Sequence, residues 1–275
     1  MNGTVATPKH DRPIGVFDSG VGGLTVVKAL AAELPHEQLV YLGDTARVPY
    51  GSKSSETVAR YCQLATNFLV AKNVKLVIIA CNTASALALD QLALPVSVLG
   101  VIQPGAALAA RATRSGNIGV IGTLGTVRSQ AYERAIFAHD PRLRVFAHAC
   151  PLLVPLAEEG WIDDPIAEAV ARRYLTELRA RAPQIDVLVL GCTHYPILRA
   201  VLERVAHEFF SPAMQVIDSA QAMALATKQA LQAMELARSN AAESPRFYVT
   251  DETRFAEVGA RFLGQRLEHV ERVDL

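Results

Sequence analysis

Two cysteines, Cys81 and Cys192, stand in matched surroundings. Each ends a short apolar run (LVIIAC and VLVLGC) and precedes small polar residues, Asn82 and Thr83 in one case, Thr193 and His194 in the other. Such a run reads as a strand buried on both faces, which puts each thiol at a strand's carboxyl end, where open α/β sheets bind ligands. After Cys81 the segment ASALALDQL reads as a helix, so this thiol lies near a helix N-terminus. The amide dipoles there favour thiolate and are expected to lower the thiol pKa from about 8.5 towards neutrality; the same N–H groups suit a substrate carboxylate. A single cysteine behind a strand is usually a small buried hydrophobe. Two in matched contexts favour a chemical role over packing.

Other residues join this pair. His194 lies two places after Cys192, where an imidazole can stabilise thiolate or relay a proton. Glu158 and Glu159 follow PLLVPLA; adjacent acids are commonly a solvated helix end, but Glu158 is a candidate orienter of His194. The turn DSGVGGLTV carries Asp18 and Ser19, with glycines that let backbone approach a small ligand closely. Asp18 there faces the cleft or caps a helix. Gly20, Gly22 and Gly23 suggest a dinucleotide fingerprint, with Asp44 at a suitable distance, but the third glycine is misplaced and no Walker A sequence occurs. The loop GDTARVPYGSKS, with Arg47 and Tyr50, has the variety of a functional loop, although a plain connector fits its composition nearly as well. Cys62 falls on the apolar face of a helix, and Cys150 ends a strand; both read as packing residues.

The elements that must position these groups follow from the hydrophobic pattern. Continuous apolar runs mark strands at 14–18, 39–44, 75–81, 96–102, 117–123, 187–192 and 214–218. Helical spacing fills 55–72 and 165–182, the latter opening on Asp164 and Pro165 as cap and first-turn proline. Strand and helix alternate, the α/β signature. A weak repeat relates IGVFDSGVGGLTV to IGVIGTLGTV, and LVIIACNTAS to VLVLGCTHYP. Two pseudo-symmetric α/β domains, each a mostly parallel sheet flanked by helices, are therefore expected, with the site in the cleft between them. The first comprises 1–105 plus 215–275, because MQVIDSA and the final strand-and-helix segment have no counterpart in the middle block; the second is 106–214.

Composition narrows the function. The 275 residues carry 27 Lys plus Arg against 27 Asp plus Glu, which gives no general basic field for nucleic acid or anionic membrane. The first thirteen residues lack the apolar core of a signal peptide and no apolar run is long enough to span a bilayer, so a cytoplasmic location is expected. Four scattered cysteines without a CxxC pair fit neither a zinc site nor a disulfide framework, and are expected to be free.

Taken together, the residues resemble the glutamate racemase family of the aspartate/glutamate racemase superfamily. The likeness runs from GVFDSGVGGLTV through LGDTARVPYGSKS, IIACNTASA, IGVIGT and CPLLVPLAEEG to LGCTHYPIL and VIDSA, and ACNTAS with GCTHYP carries most of its specificity. The resemblance implies cofactor-independent interconversion of L- and D-glutamate, feeding peptidoglycan synthesis. It makes Cys81 and Cys192 the two acid/base residues, Cys81 on the D-form and Cys192 on the L-form. Asp18 and His194 would assist them, with Glu158 (or its neighbour Glu159) supporting His194. Substrate contacts would come from Asp18 with Ser19, Tyr50 with Gly51, Asn82 with Thr83, and Thr193 with His194. A homodimer, no cofactor and no metal are implied. Competing readings are a racemase for aspartate or another small acidic substrate, a decarboxylase, which needs only one proton donor, a thiol-redox protein, and a non-catalytic two-lobed amino-acid-binding protein, which needs no matched thiols.

Overall fold

The computed structural model describes residues 7–240 and 243–275; the start of the N-terminal segment, 1–6, lies outside the described residues. Among the described residues ten strands form two sheets, every pairing parallel. The first sheet contains β1 (Ile14–Asp18), β2 (Leu39–Gly43), β3 (Leu76–Ile79), β4 (Ser97–Gly100), β9 (Arg246–Val249) and β10 (Val270–Arg272), in the order β10-β9-β2-β1-β3-β4. The second contains β5 (Asn117–Gly122), β6 (Arg144–Ala149), β7 (Val187–Gly191) and β8 (Gln215–Asp218), in the order β6-β5-β7-β8. The central strands β1, β2, β3 and β7 are buried along their whole length. Helices cover both faces of a parallel sheet, which is why these strands read as unbroken apolar runs.

The repeat is visible in the winding. β2-β1-β3-β4 and β6-β5-β7-β8 have the same order, so β1 matches β5 and β3 matches β7. The fourth strand corrects the reading of the sequence. MQVID does not belong to the returning tail: Val187↔Gln215 to Leu190↔Asp218 pair it with β7 at the edge of the second sheet, as β4 lies beside β3 in the first. A boundary drawn before residue 215 cuts off a strand that the second sheet owns. MQVID, which has no counterpart in the sequence of the middle block, has one in the sheet, where it matches β4, and α10 (Ser219–Ala233) follows it. The tail beyond α10 does return, with β9 beside β2.

The helices in chain order are α1 (Leu24–Glu33), α2 (Ser55–Ala71), α3 (Asn82–Leu87), α4 (Ile102–Ala112), α5 (Leu124–Arg128), α6 (Ala131–His139), α7 (Leu153–Glu159), α8 (Pro165–Arg181), α9 (Arg199–Phe209), α10 and α11 (Phe255–Leu263). Their starts are chemically set. Ser54 accepts from Thr57 N at 3.3 Å, Asp164 from Ile166 N at 2.7 Å ahead of Pro165, and Asp218 from Gln221 N at 2.9 Å. Each such cap contributes about 1 kcal/mol to its helix. α10 packs on α1 and α4, joining the halves at their back. Among the described residues no helix is long and apolar enough to cross a membrane.

Candidate active site

Three turns at strand carboxyl ends meet between the two sheets. After β1 the chain turns through Asp18, Ser19 and Gly20, and Asp18, fully buried, accepts from Gly20 N at 2.9 Å. The Tyr41 hydroxyl donates to Gly20 O at 2.7 Å and holds the turn from beneath. After β3, Cys81 caps α3: its sulfur accepts from Ala84 N at 3.4 Å and from the Ser19 hydroxyl at 3.3 Å. After β7 come Cys192, Thr193 and His194. Both thiols are buried, 6% and 5% exposed.

Each thiol has a different partner. Cys192 Sγ lies 3.9 Å from His194 Nδ1, and His194 Nε2 lies 2.8 Å from Glu158 Oε1. Burial alone would lower the histidine pKa, but the Cys192 sulfur and the Glu158 carboxylate hold its proton and push it up to about 10. Beside Cys81 the neighbour is a carboxylate, and the expectation of a lowered thiol pKa is corrected here. Burial first, then the charge of Asp18, push Cys81 up to about 12, and the donors Ser19 and Ala84 offset only part of this. A helix of six residues contributes a small dipole, while desolvation acts in full. Burial likewise raises Asp18 above the usual carboxylate range, against the pull of His194 and the hydrogen bonds from Gly20, Gly23 and Thr193. A buried carboxyl with a raised pKa facing a buried thiol is suited to holding and passing a proton.

The halves touch tightly here. Thr25 Oγ1 donates to Thr193 O at 3.1 Å, and Thr193 Oγ1 to Asp18 Oδ1 at 3.5 Å. Gly22 must be glycine for this approach, since a Cβ there would sit 2.4 Å from both Thr193 Oγ1 and His194 Nδ1. On the other side of the site, Thr83 Oγ1 meets Thr123 Oγ1 at 2.8 Å, and Gly51 lies against Thr123.

A family model describing Asp/Glu/Hydantoin racemases matches residues 21–227. The chain belongs to that family. It is thereby an enzyme of the isomerase class. It is 52% identical over 270 residues to the glutamate racemase of Syntrophus aciditrophicus, covering 96% of this chain and 97% of that one. Against the glutamate racemase of Geobacter metallireducens the identity is 49%, over 96% and 97% of the two chains. Among solved structures, a glutamate racemase isoform from Bacillus anthracis superposes with TM-score 0.90 at 38% identity, covering 96% of this chain and 98% of that one. The glutamate racemase of Francisella tularensis, solved in complex with D-glutamate, gives TM-score 0.88 at 38% identity with the same coverage.

Asp18, Ser19, Cys81, Cys192, Thr193, His194 and Glu158 thus come together in this family member. Glu159 does not join them; its carboxylate pairs with Arg254 at 3.0 Å on the surface. Tyr50 and Asn82 have their polar atoms engaged by protein. The Tyr50 hydroxyl donates to buried Asp44, and Asn82 accepts from Tyr132 OH at 2.7 Å while donating to Ser219 Oγ at 3.3 Å. The sequence reading missed Thr123, Thr126, Tyr132 and Ser219. Thr123 follows β5 directly and Thr126 lies in α5 beyond it, in the counterpart of the segment carrying Asp18, and that symmetry was the available signal. Cys62 and Cys150 are buried packing residues, each pushed up by burial. All four cysteines are free. Among the described residues no three His, Cys, Asp or Glu side chains are grouped to hold a metal ion.

Proposed function

We propose that this protein interconverts L- and D-glutamate without a cofactor, by proton transfer between Cys81 and Cys192. The observation that carries the reading is the pair of buried thiols at matched strand ends of the two sheets, each beside its own proton-handling partner. Inverting an α-carbon needs a base on one face and an acid on the other, and identical residue types allow both directions.

Cys81 takes the α-proton of the D-form as thiolate, and Cys192 returns a proton to the opposite face; for the L-form the roles exchange. Burial and the charge of Asp18 favour the protonated form of Cys81. A substrate ammonium placed beside Asp18 cancels that repulsion and favours the thiolate, so substrate binding itself readies the base. At Cys192 the protonated His194, held by Glu158, stabilises the thiolate and supplies it with a proton. The carbanion is stabilised by donors in a site that excludes water. Thr83 and Thr193 present hydroxyls to the substrate, while Tyr50 and Gly51 meet it through backbone, since the Tyr50 hydroxyl is committed to Asp44. The buried thiols require the halves to part for substrate to enter and to close before reaction. The protein acts as a cytoplasmic homodimer in this reading, and its D-glutamate enters peptidoglycan.

Polarimetry with purified protein and no added cofactor tests this. Both glutamate enantiomers are expected to decay to zero rotation, and aspartate to remain optically active. Stable rotation in both glutamate samples would contradict the reading, and racemisation of aspartate alone would reassign the substrate.

A further inference from the structure

The Glu158–His194 pair is held by a helix from the far end of the chain. Arg261 of α11 donates through Nη1 to the backbone carbonyl of Glu158 at 2.5 Å, across 103 residues of sequence, and through Nη2 to Glu257 Oε1 at 2.8 Å. The next residue, Phe262, sets its ring edge-on against His194, with centroids 5.2 Å apart and planes at 77°. Gly160 ends α7 with φ 78°, and a Cβ on it would lie 3.2 Å from Arg261 Nη1. The last carbonyls of a helix lack donors within the helix and attract cations, and glycine in the left-handed conformation leaves room for the guanidinium.

This matters because Glu158 is not otherwise constrained. Its side chain is 42% exposed, and an exposed ion pair that nothing else orders contributes little. Its backbone is what is held.

We infer that Arg261 is a positioning residue of the proton-transfer site: by binding the C-terminal carbonyl of α7 it keeps Glu158 on His194, while Phe262 fixes the plane of the imidazole. The inference rests on the racemase reading for its effect on rate, but not for its effect on His194. The titratable and charged groups facing the pair are Cys192 and Asp18 around the imidazole, and Arg261 and Arg254 around Glu158, with Glu159 and Glu257 beyond them. Losing Arg261 frees the end of α7, lets Glu158 turn to solvent, and leaves His194 with Cys192 and Asp18 alone.

The test is NMR titration of the His194 ring in the substrate-free protein, beside the pH profile of kcat/KM. Arg261→Met is expected to move the His194 midpoint down from about 10 towards the ordinary histidine value. It is expected to lower kcat/KM about tenfold to a hundredfold, the effect of misplacing a reacting group by an ångström or less. Arg261→Lys, which keeps a cationic donor, is expected to recover most of both. Arg254→Met, which breaks the half-exposed pairs with Glu159 and Glu257 but leaves the hold of Arg261 on the Glu158 carbonyl in place, is expected to change both far less than Arg261→Met does. If Arg261→Met does not fold, Arg261→Gln, too short to reach the carbonyl, carries the same test. A wild-type midpoint in the Arg261 variant overturns the inference, even in an active racemase. A lowered midpoint in a protein that racemises nothing upholds the positioning role and sinks the racemase reading instead.

Discussion

Replacing Gly22 by alanine inserts a methyl group where the two halves meet. That carbon would lie 2.4 Å from His194 Nδ1 and 2.4 Å from Thr193 Oγ1. Restoring ordinary contact requires the two segments to part by about 1 Å. The two segments are also tied through one hydroxyl, since the single Thr25 O–H is shared between Gly22 O, at 2.9 Å, and Thr193 O, at 3.1 Å. Overpacking of this kind costs about 1–3 kcal/mol, which for a chain of this size lowers Tm by roughly 2–10 °C. The catalytic cost is larger, since a displacement of about 1 Å at the reacting groups lowers the rate on the order of a hundredfold. Polarimetric kcat/KM and a thermal melt, run together on Gly22→Ala, measure both. Gly105→Ala in α4 is the control: its Cβ would meet nothing closer than Tyr132 OH at 3.4 Å, and alanine gains about 1 kcal/mol of helix propensity. If Gly22→Ala keeps kcat/KM within about twofold of wild type, the closed arrangement of Thr193 and His194 is not the reactive one and the reasoning fails.

Glu158→Gln should remove one of the two supports of the His194 proton, the other being Cys192. His194 has a folded pKa of about 10, above its unfolded value, so the stability it contributes is fully present below the unfolded pKa near 6.5 and is lost as pH rises through about 10. The melting difference between wild type and variant should therefore be about 1 kcal/mol at neutral pH, small because Glu158 is partly exposed, and should vanish towards pH 10; a gap that widens with pH would refute this. Lys75 and Glu37 form a pair at 2.6 Å with side chains only 1% and 2% exposed. Lys75→Met strands the carboxylate and should cost about 3–5 kcal/mol, a fall in Tm of roughly 6–20 °C, with normal kcat in the protein that remains folded. A Tm within about 2 °C of wild type would show that the pair is not held as described. Tyr132→Phe removes the donor to Asn82 and should destabilise by about 1 kcal/mol in chemical denaturation, an unchanged midpoint counting against that bond.

The parts of this fold that are legible in the sequence are those governed by burial on two faces. β1, β3, β5 and β7 read as strands because helices cover both sides of them, and the two cysteines stood out because each ends such a strand. β8 was misplaced because its sequence says only that it is a buried strand; whether it borders β7 or β2 depends on the crossover, a topological fact. The thiol pKa of Cys81 failed for a related reason. The N-terminal position was readable, but the desolvation that outweighs it, and the presence of Asp18 beside the sulfur, belong to the assembled site. Glu158 was separable from Glu159 only in three dimensions, where one carboxylate turns to His194 and the other to Arg254. The part played by α11 was hidden altogether, since Arg261 and Phe262 sit in an ordinary amphipathic helix and act through a carbonyl and a ring edge that no side-chain pattern announces.

The central claim is that two thiols on opposite faces of the α-carbon exchange its proton with solvent. Deuterium wash-in measures this directly: L-glutamate and D-glutamate are each incubated in deuterated water with wild type, Cys81→Ala and Cys192→Ala, and α-proton loss and inversion are followed together. With two bases, product formed early carries deuterium while recovered substrate does not, and neither variant racemises. Label appearing equally in substrate and product from the first turnovers, or racemisation surviving in either cysteine variant, would contradict the two-thiol account.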